Sequence, residues 1–245
     1  MEYIKFIKLA KRRFIGREQK DWTHYLEFQK FQAEEIIKEI KKRKIKLSNM
    51  KVLELGSGKG GYSQVFKKHF KTLVMGDLYK PFIMKLDPSF NFKRFDINKK
   101  YPLKDNEFDF VFSCSLIEHV KDTDNMISEI KRVLKPKGYL YLSFPPFYSP
   151  VGGHNVKPFH FFGEKIAIKI TNFLKKKDYK NYETFWGDFG LHRRTIRGVK
   201  KLFFKHGFHI EDEWTRFSFI NTTRIPILNE FLTWHVCFLC KNRKK

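Results

Sequence analysis

KVLELGSGKGGYS, residues 51–63, is a short apolar run that breaks into four glycines within six residues. Val52, Leu53 and Leu55 read as a buried strand, and the residues from about Tyr62 to Phe70 read as a helix. The turn between them is Gly56-Ser57-Gly58-Lys59-Gly60-Gly61. Glycines let a backbone turn sharply and leave no Cβ between it and a ligand. The helix start beyond offers free N–H groups and a partial positive charge. Such a strand–turn–helix unit suits a nucleotide-like ligand. Gly56, Gly58 and Gly61 also satisfy the dinucleotide G-x-G-x-x-G pattern, so the turn alone leaves two cofactor classes open.

Outward from this turn, strands alternate with helices. TLVMGD (72–77) is a second strand, NFKRFD (91–96) a third, and EFDFVFSCS (107–115) a fourth, apolar enough to be central. TDNMISEIKRVL (123–134) reads as a helix ended by Pro136 and Gly138, and GYLYLSFPP (138–146) as a fifth strand. The alternation predicts an α/β chain with a parallel, doubly wound sheet. It stops from Pro145 to about Arg194, then resumes with a helix (195–206) and two strands (about 208–217 and 234–241). Upstream, residues 1–20 form a basic, mildly amphipathic helix with Tyr3, Ile7, Ala10 and Phe14 on one side. Asp21 reads as an N-cap for a second helix that runs to about Ile45. The expected organisation is an N-terminal helical extension (1–50), then one domain (51–245) with a lid insertion at about 147–194.

Two carboxylates narrow the cofactor. Asp77 ends the second strand, 21 positions after Gly56, where it can accept hydrogen bonds from both ribose hydroxyls. Glu54 sits inside the first strand, where a carboxylate is costly unless partnered. An anionic pyrophosphate gains nothing from it. A sulfonium and an ammonium do, so Glu54 favours a cationic cofactor.

VLELGSGKGGYS resembles motif I of the class I S-adenosylmethionine-dependent methyltransferases. FDINKKYPLKDNEFDFVFSCSLIEHVKD and EIKRVLKPKGYLYLSFP are similar to the later motifs of the large group that includes the ubiquinone-pathway O-methyltransferases. The resemblance covers about residues 51–146, with a looser echo in TIRGVKKLFFKHGFHI (195–210). It implies a Rossmann-like class I methyltransferase fold, with a mainly parallel seven-stranded sheet and helices on both faces. It also implies S-adenosyl-L-methionine as cofactor. On that basis Glu54 supports the methionine end, while Gly56, Ser57, Gly58 and Gly60 line the cofactor turn. Asp77 binds the ribose and Leu78 flanks the adenine. Asp96 takes the adenine amino group and Ile97 offers its N–H. Ser113 and Ser115 approach the methionine end. Glu118-His119 matches a pair that some quinone-pathway relatives use, with an upstream carboxylate, to hold a divalent metal. The upstream position here is Ser115, so no metal is expected.

Methyl transfer from a sulfonium is a direct displacement that needs proximity and alignment. A base matters when the acceptor must lose a proton. His119, His154, His160 and His192 are the candidates. His154 and His119 rank first, because His154 follows the fifth strand at the carboxyl edge of the expected sheet. The insertion is rich in aromatics (Phe147, Tyr148, Phe159, Tyr179, Tyr182, Trp186 among them). That composition suits a planar or lipid-like acceptor, and equally a lid with a small core of its own. Arg193 and Arg194 are candidates to meet an anionic group on the acceptor.

Composition bounds the rest. The 245 residues carry 50 Lys+Arg against 26 Asp+Glu, a formal charge of +24. Such a field attracts RNA, acidic lipid or phosphorylated substrates. Because the excess is lysine spread along the whole chain, it is also what a lysine-rich genome would give. Residues 1–20 can lie on an anionic membrane or dock on the domain itself. Cys114, Cys237 and Cys240 fit a reducing compartment. Cys237 and Cys240 lie three apart on an expected strand, so they point to opposite faces and read as core residues. No secretory signal and no long apolar run is visible, and a soluble, cytoplasmic protein is expected. The functional expectation is methylation of a small molecule or a lipid or glycan precursor, with RNA methylation as the alternative. A methyltransferase-fold binding protein without activity is a third reading, disfavoured by the full set Glu54, glycines, Asp77 and Asp96.

Overall fold

The computed structural model describes residues 3–18, 22–185, 189–216, 218 and 220–243. Asp21 and Trp186 lie outside the described residues. Two N-terminal helices, α1 (Tyr3–Glu18) and α2 (Thr23–Lys42), precede the sheet. Leu26, Ala33, Ile36, Ile37 and Ile40 recur at helical spacing in α2 and are all buried.

The strands are β1 (Lys51–Leu55), β2 (Thr72–Asp77), β3 (Asn91–Arg94), β4 (Phe108–Cys114), β5 (Leu134–Phe144), β6 (Phe208–Thr215) and β7 (Val236–Asn242). The later helices are α3 (Gly61–His69), α4 (Thr123–Val133), α5 (Glu164–Lys175), α6 (Ile196–Lys205) and α7 (Asn229–Leu232). One seven-stranded sheet has the order β3-β2-β1-β4-β5-β7-β6. β1–β2 and β2–β3 pair parallel, while β7 runs antiparallel to both β5 and β6. The sheet is therefore mixed, with its antiparallel strand near one edge.

The sequence placed a turn at Pro136–Gly138 before the fifth strand. Instead the chain passes from α4 straight into β5 at Leu134. Pro136 forces the residue before it into extended backbone, so the strand starts early. Asn242 on β7 donates Nδ2 to the carbonyls of Leu134 and Lys135 at 3.3 and 3.1 Å, which fixes that early start. α4 itself begins where Asp122 accepts a hydrogen bond from the Asn125 N–H, a standard N-cap.

The chain divides into two compact units: Met1–Asp96 with Glu107–Phe112, and Ile97–Asn106 with Ser113–Lys245. The first holds an aromatic core in which Phe66 meets Phe112 at 4.4 Å and Phe70 meets Phe110 at 5.6 Å between ring centroids. In the second, the insertion has its own core of Phe147, Val156, Ala167, Ile168, Tyr182, Phe185 and Leu191. Tyr148, Phe159 and Tyr179 pack against it. Of the two readings of the aromatic insertion, the small independent core is the one observed. Cys237 and Cys240 are buried on β7, as read from their strand spacing, and neither is in a disulfide among the described residues. No helix of the described residues is long and apolar enough to cross a membrane.

Candidate functional site

In the first unit β1 runs into the glycine turn, and α3 starts at Gly61. Gly56, Gly58 and Gly60 have φ of 72°, 54° and 90°, backbone that favours glycine. Their roles differ. A Cβ on Gly58 would meet nothing closer than 4.0 Å, so the turn is open there. A Cβ on Gly60 would fall 2.1 Å from Ile83 Cγ2. Ile83 cannot retreat easily, because its N–H donates to Lys59 O at 3.0 Å. Gly60 is thus demanded by packing, and Gly58 is the glycine that leaves the turn exposed.

Asp77 at the end of β2 is tied to this turn. Its Oδ2 accepts from the Gly58 N–H at 2.8 Å and its Oδ1 from the Tyr79 N–H at 3.1 Å. A carboxylate has about four acceptor sites, so roughly two remain for a diol. Ser57 Oγ is buried and takes no hydrogen bond among the described residues. An unsatisfied hydroxyl beside an open turn is what a bound polar ligand would complete. Leu78 and Asp96 are half-buried at the ends of β2 and β3.

Glu54 is 1% exposed, and Ser63 Oγ donates to its Oε2 at 2.6 Å. Burial pushes its pKa from 4.5 up to about 8; the Ser63 hydrogen bond opposes this and the Asp77 charge adds to it. The folded state therefore holds a proton there that the unfolded chain has already given up above about pH 4.5. Stability from this group is complete below that pH and falls as pH rises to about 8. Glu54→Gln keeps an acceptor for Ser63 and removes the titration. Its melting temperature should exceed that of the wild type above about pH 8, with the gap closing toward pH 4.5. Melting curves that run parallel across this range would contradict the assignment.

Residues that carry no visible motif support the turn. Gln29 on α2 accepts from the Gly61 N–H at 3.1 Å, and Gln32 accepts from Tyr62 OH at 2.8 Å. Lys59 lies over the Trp22 ring at 4.0 Å. The sequence pointed to α2 through Asp21 and an apolar face, and gave no sign that two of its glutamines read the start of α3.

The remaining expected residues fall in the second unit. Ile97 is buried, and Ser113 on β4 is buried with an Oγ that takes no hydrogen bond among the described residues. Ser115 has a φ of 52°, and its N–H donates to Ser143 O at 2.8 Å. Beyond it, a 3-10 turn at Ile117–His119 presents Glu118 and His119. Glu118 is 2% exposed, and neither carboxylate oxygen has a hydrogen-bond partner among the described residues. Burial raises its pKa to about 8, opposed first by the residue's own nearby backbone N–H and then by the charges of Arg216 and Arg194. His154 Nε2 stands 3.8 Å and His119 Nε2 4.0 Å from Glu118 Oε1. His119 Nδ1 lies 2.8 Å from Gly190 O, so the proton sits on Nδ1 and Nε2 keeps its lone pair. Burial lowers the His119 pKa, against the Gly190 hydrogen bond, and keeps the ring neutral.

The three side chains bring one ligand atom each within 4.8 Å of one another. A buried carboxylate and two imidazoles can collect a proton or hold a divalent cation. The carboxylate missing at Ser115 is not needed to reach three ligands, because His154 supplies the third.

Other candidates have structural duties. His160 Nε2 lies 3.2 Å from Ser149 O, and its ring packs on Gly153 and against Phe147. Arg194 donates to the carbonyls of Ile117, Val120 and Lys121, so it clamps the turn that carries Glu118. Arg193 stacks over Phe147 at 5.5 Å. Sequence reading missed Arg216 and His235. Both are buried, with Arg216 Nη2 and His235 Nε2 2.9 Å apart and Arg216 Nη1 donating to Cys114 Sγ at 3.4 Å. They lie just past β6 and just before β7, and no local spacing links them.

Known proteins show what the chain is similar to. Residues 53–142 match the family model described as a methyltransferase domain. The chain is similar to a malonyl-[acyl-carrier protein] O-methyltransferase of Calditerrivibrio nitroreducens, 30% identical over 133 residues, 54% of this chain and 49% of that one. It is also similar to an uncharacterized methyltransferase of Mycobacterium leprae, 25% identical over 149 residues, 58% of this chain and 52% of that one. The chain thus spans about half the length of the curated relatives it matches. An S-adenosylmethionine-dependent methyltransferase structure from Mesorhizobium loti shares the fold, with a TM-score of 0.57 at 18% identity, covering 80% of this chain and 93% of that one. Residues 53–142 are thus similar to a methyltransferase domain, and the mixed seven-stranded sheet shares its fold with S-adenosylmethionine-dependent methyltransferase structures.

Proposed function

We propose that this chain transfers a methyl group from S-adenosylmethionine to a small organic or lipid-like acceptor. The observation that carries the reading is the open glycine turn, tied through the Gly58 N–H to a carboxylate that keeps acceptor capacity for a ribose. Bound there, S-adenosylmethionine supplies a sulfonium-activated methyl group. Asp77 holds the ribose, Leu78 flanks the adenine, and Asp96 and Ile97 meet its amino edge. Gly56, Ser57 and Gly58 line the turn. Gly60 shapes it from below. Glu54 supports the cationic methionine end, and a positive group nearby favours its ionised form. Ser113 and Ser115 extend the set.

On the acceptor side, His154 is the base we favour. Its Nε2 stands 3.8 Å from Glu118 Oε1, and above about pH 8, where Glu118 is ionised, that charge stabilises the imidazolium that forms when a proton arrives. His119 Nε2 offers a second lone pair, fixed by the Gly190 hydrogen bond. His154→Ala should lower kcat by roughly 100-fold or more with cofactor affinity unchanged. Glu118→Gln should lower it less, and chiefly above about pH 8, where Glu118 carries the charge that the amide lacks. A His154→Ala enzyme that keeps near-normal kcat would remove this histidine from the reaction. The spacing of the three ligand atoms favours a second reading, a divalent cation that polarises the acceptor. Dialysis against a chelator separates the two: turnover persists under the base reading and is lost under the cation reading, with zinc or magnesium restoring it.

Two relatives act, by their names, on a malonyl-[acyl-carrier protein] and, in Caenorhabditis elegans, on phosphoethanolamine, neither of them RNA. That supports a small-molecule class over RNA. Methyl-labelled cofactor offered with RNA, lipid and small-molecule fractions tests it, and label appearing only in RNA would overturn it.

A further inference from the structure

The insertion buries one side of α5 and turns another outward. Ala167, Ile168 and Thr171 face inward, the first two joining the core with Phe147 and Val156. Ile166, Ile170 and Phe173 recur on a different stripe at helical spacing. Ile166 and Phe173 are 52% and 84% exposed. Leu174 at the helix end and Phe162 on the preceding 3-10 turn are 59% and 65% exposed. Large apolar side chains this exposed, grouped on one short segment, mark an interaction surface.

The charge around them is one-sided. Residues 157–180 contain seven lysines against Glu164 and Asp178. Lys165 and Lys169 run along the edge of the apolar stripe, and Lys176 and Lys177 stand at its end, all exposed. Glu164 is already engaged, accepting from the Tyr182 N–H at 2.6 Å. A protruding apolar row edged by long cationic side chains is the pattern of a helix lying in a membrane interface. Rings and aliphatic chains enter the acyl boundary while ammonium groups reach phosphates. A second copy of this chain would bring two lysine clusters together, and like charges oppose that contact.

We propose that this face of α5 docks on an anionic lipid surface, with Phe162, Ile166, Phe173 and Leu174 inserted and the surrounding lysines on the headgroup phosphates. Docking does not depend on methyl transfer.

The test is co-sedimentation of the full chain with phosphatidylcholine vesicles, with and without phosphatidylglycerol. Binding should require phosphatidylglycerol and weaken as salt rises. The double variant F162S/F173S, altered at exposed positions, should bind at least tenfold more weakly. K165Q/K169Q should weaken binding roughly tenfold and flatten the salt dependence. Circular dichroism checks that each variant is folded, and the lysine pair carries the test should the phenylalanine pair not fold. The exposed Ile4 and Ile7 of α1, 74% and 63% exposed, provide the control I4S/I7S, which should bind like wild type. Failure to bind, equal binding to phosphatidylcholine alone, or loss of binding only in I4S/I7S would overturn the proposal. So would a dimer in sedimentation velocity that F162S/F173S dissolves, because a second copy would then cover the face.

Discussion

Asp77→Ala should weaken S-adenosylmethionine binding by about 100-fold or more, the loss of two charge-assisted hydrogen bonds to a ribose diol. Two effects add in this variant. The ribose loses its acceptor, and the Gly58 N–H loses the Oδ2 that holds the turn at 2.8 Å. Asp77→Asn separates them. It keeps one oxygen for a backbone N–H but removes the charge, so it should fall between wild type and alanine. Calorimetric titration of each variant with S-adenosylhomocysteine checks this. An alanine variant that binds within threefold of wild type would take Asp77 out of the cofactor site.

Gly60→Ala should be the most destabilising single-methyl change in the turn. The new methyl would stand 2.1 Å from Ile83 Cγ2, in a residue whose φ is 90°. Overpacking and left-handed backbone strain each cost on the order of 1–3 kcal/mol. Together, in a chain of this size, they lower the melting temperature by roughly 4–24 °C. Gly58→Ala is the contrast. Its methyl meets open space, and only the backbone strain at φ 54° is added. It should lose only the backbone share, about half of the Gly60→Ala shift, while losing cofactor affinity, because the methyl occupies the open side of the turn. Thermal melts of the two variants side by side check the pair. Equal destabilisation of both would show that packing against Ile83 is not what requires Gly60.

These two variants also show what the sequence could and could not disclose. The run KVLELGSGKGG marked β1, the turn and the helix start because strand, glycine and helix signals there are local. α6 was equally plain, since its periodicity and Thr195, whose Oγ1 accepts from the Gly198 N–H at 3.0 Å, lie within one segment. The division of labour between Gly58 and Gly60 was hidden, because it depends on Ile83 from another turn. The early start of β5 was hidden because Asn242, more than 100 residues away, holds its first carbonyls. Glu118-His119 was visible as a pair. His154, 36 residues on, was a candidate only by its place after β5, and its approach to Glu118 required tertiary structure. Arg194 looked like a ligand for an acceptor anion. Its guanidinium instead serves three backbone carbonyls, a demand that no sequence pattern announces.

Whether the turn at Gly56–Gly61 accepts an adenosyl sulfonium cofactor or a dinucleotide decides the function. Titration of the purified protein with S-adenosylmethionine, S-adenosylhomocysteine and NAD by calorimetry tests it most directly. Saturable one-to-one binding of both adenosyl compounds, with no heat from NAD, is the predicted result. Binding of NAD with no response to either adenosyl compound would contradict it.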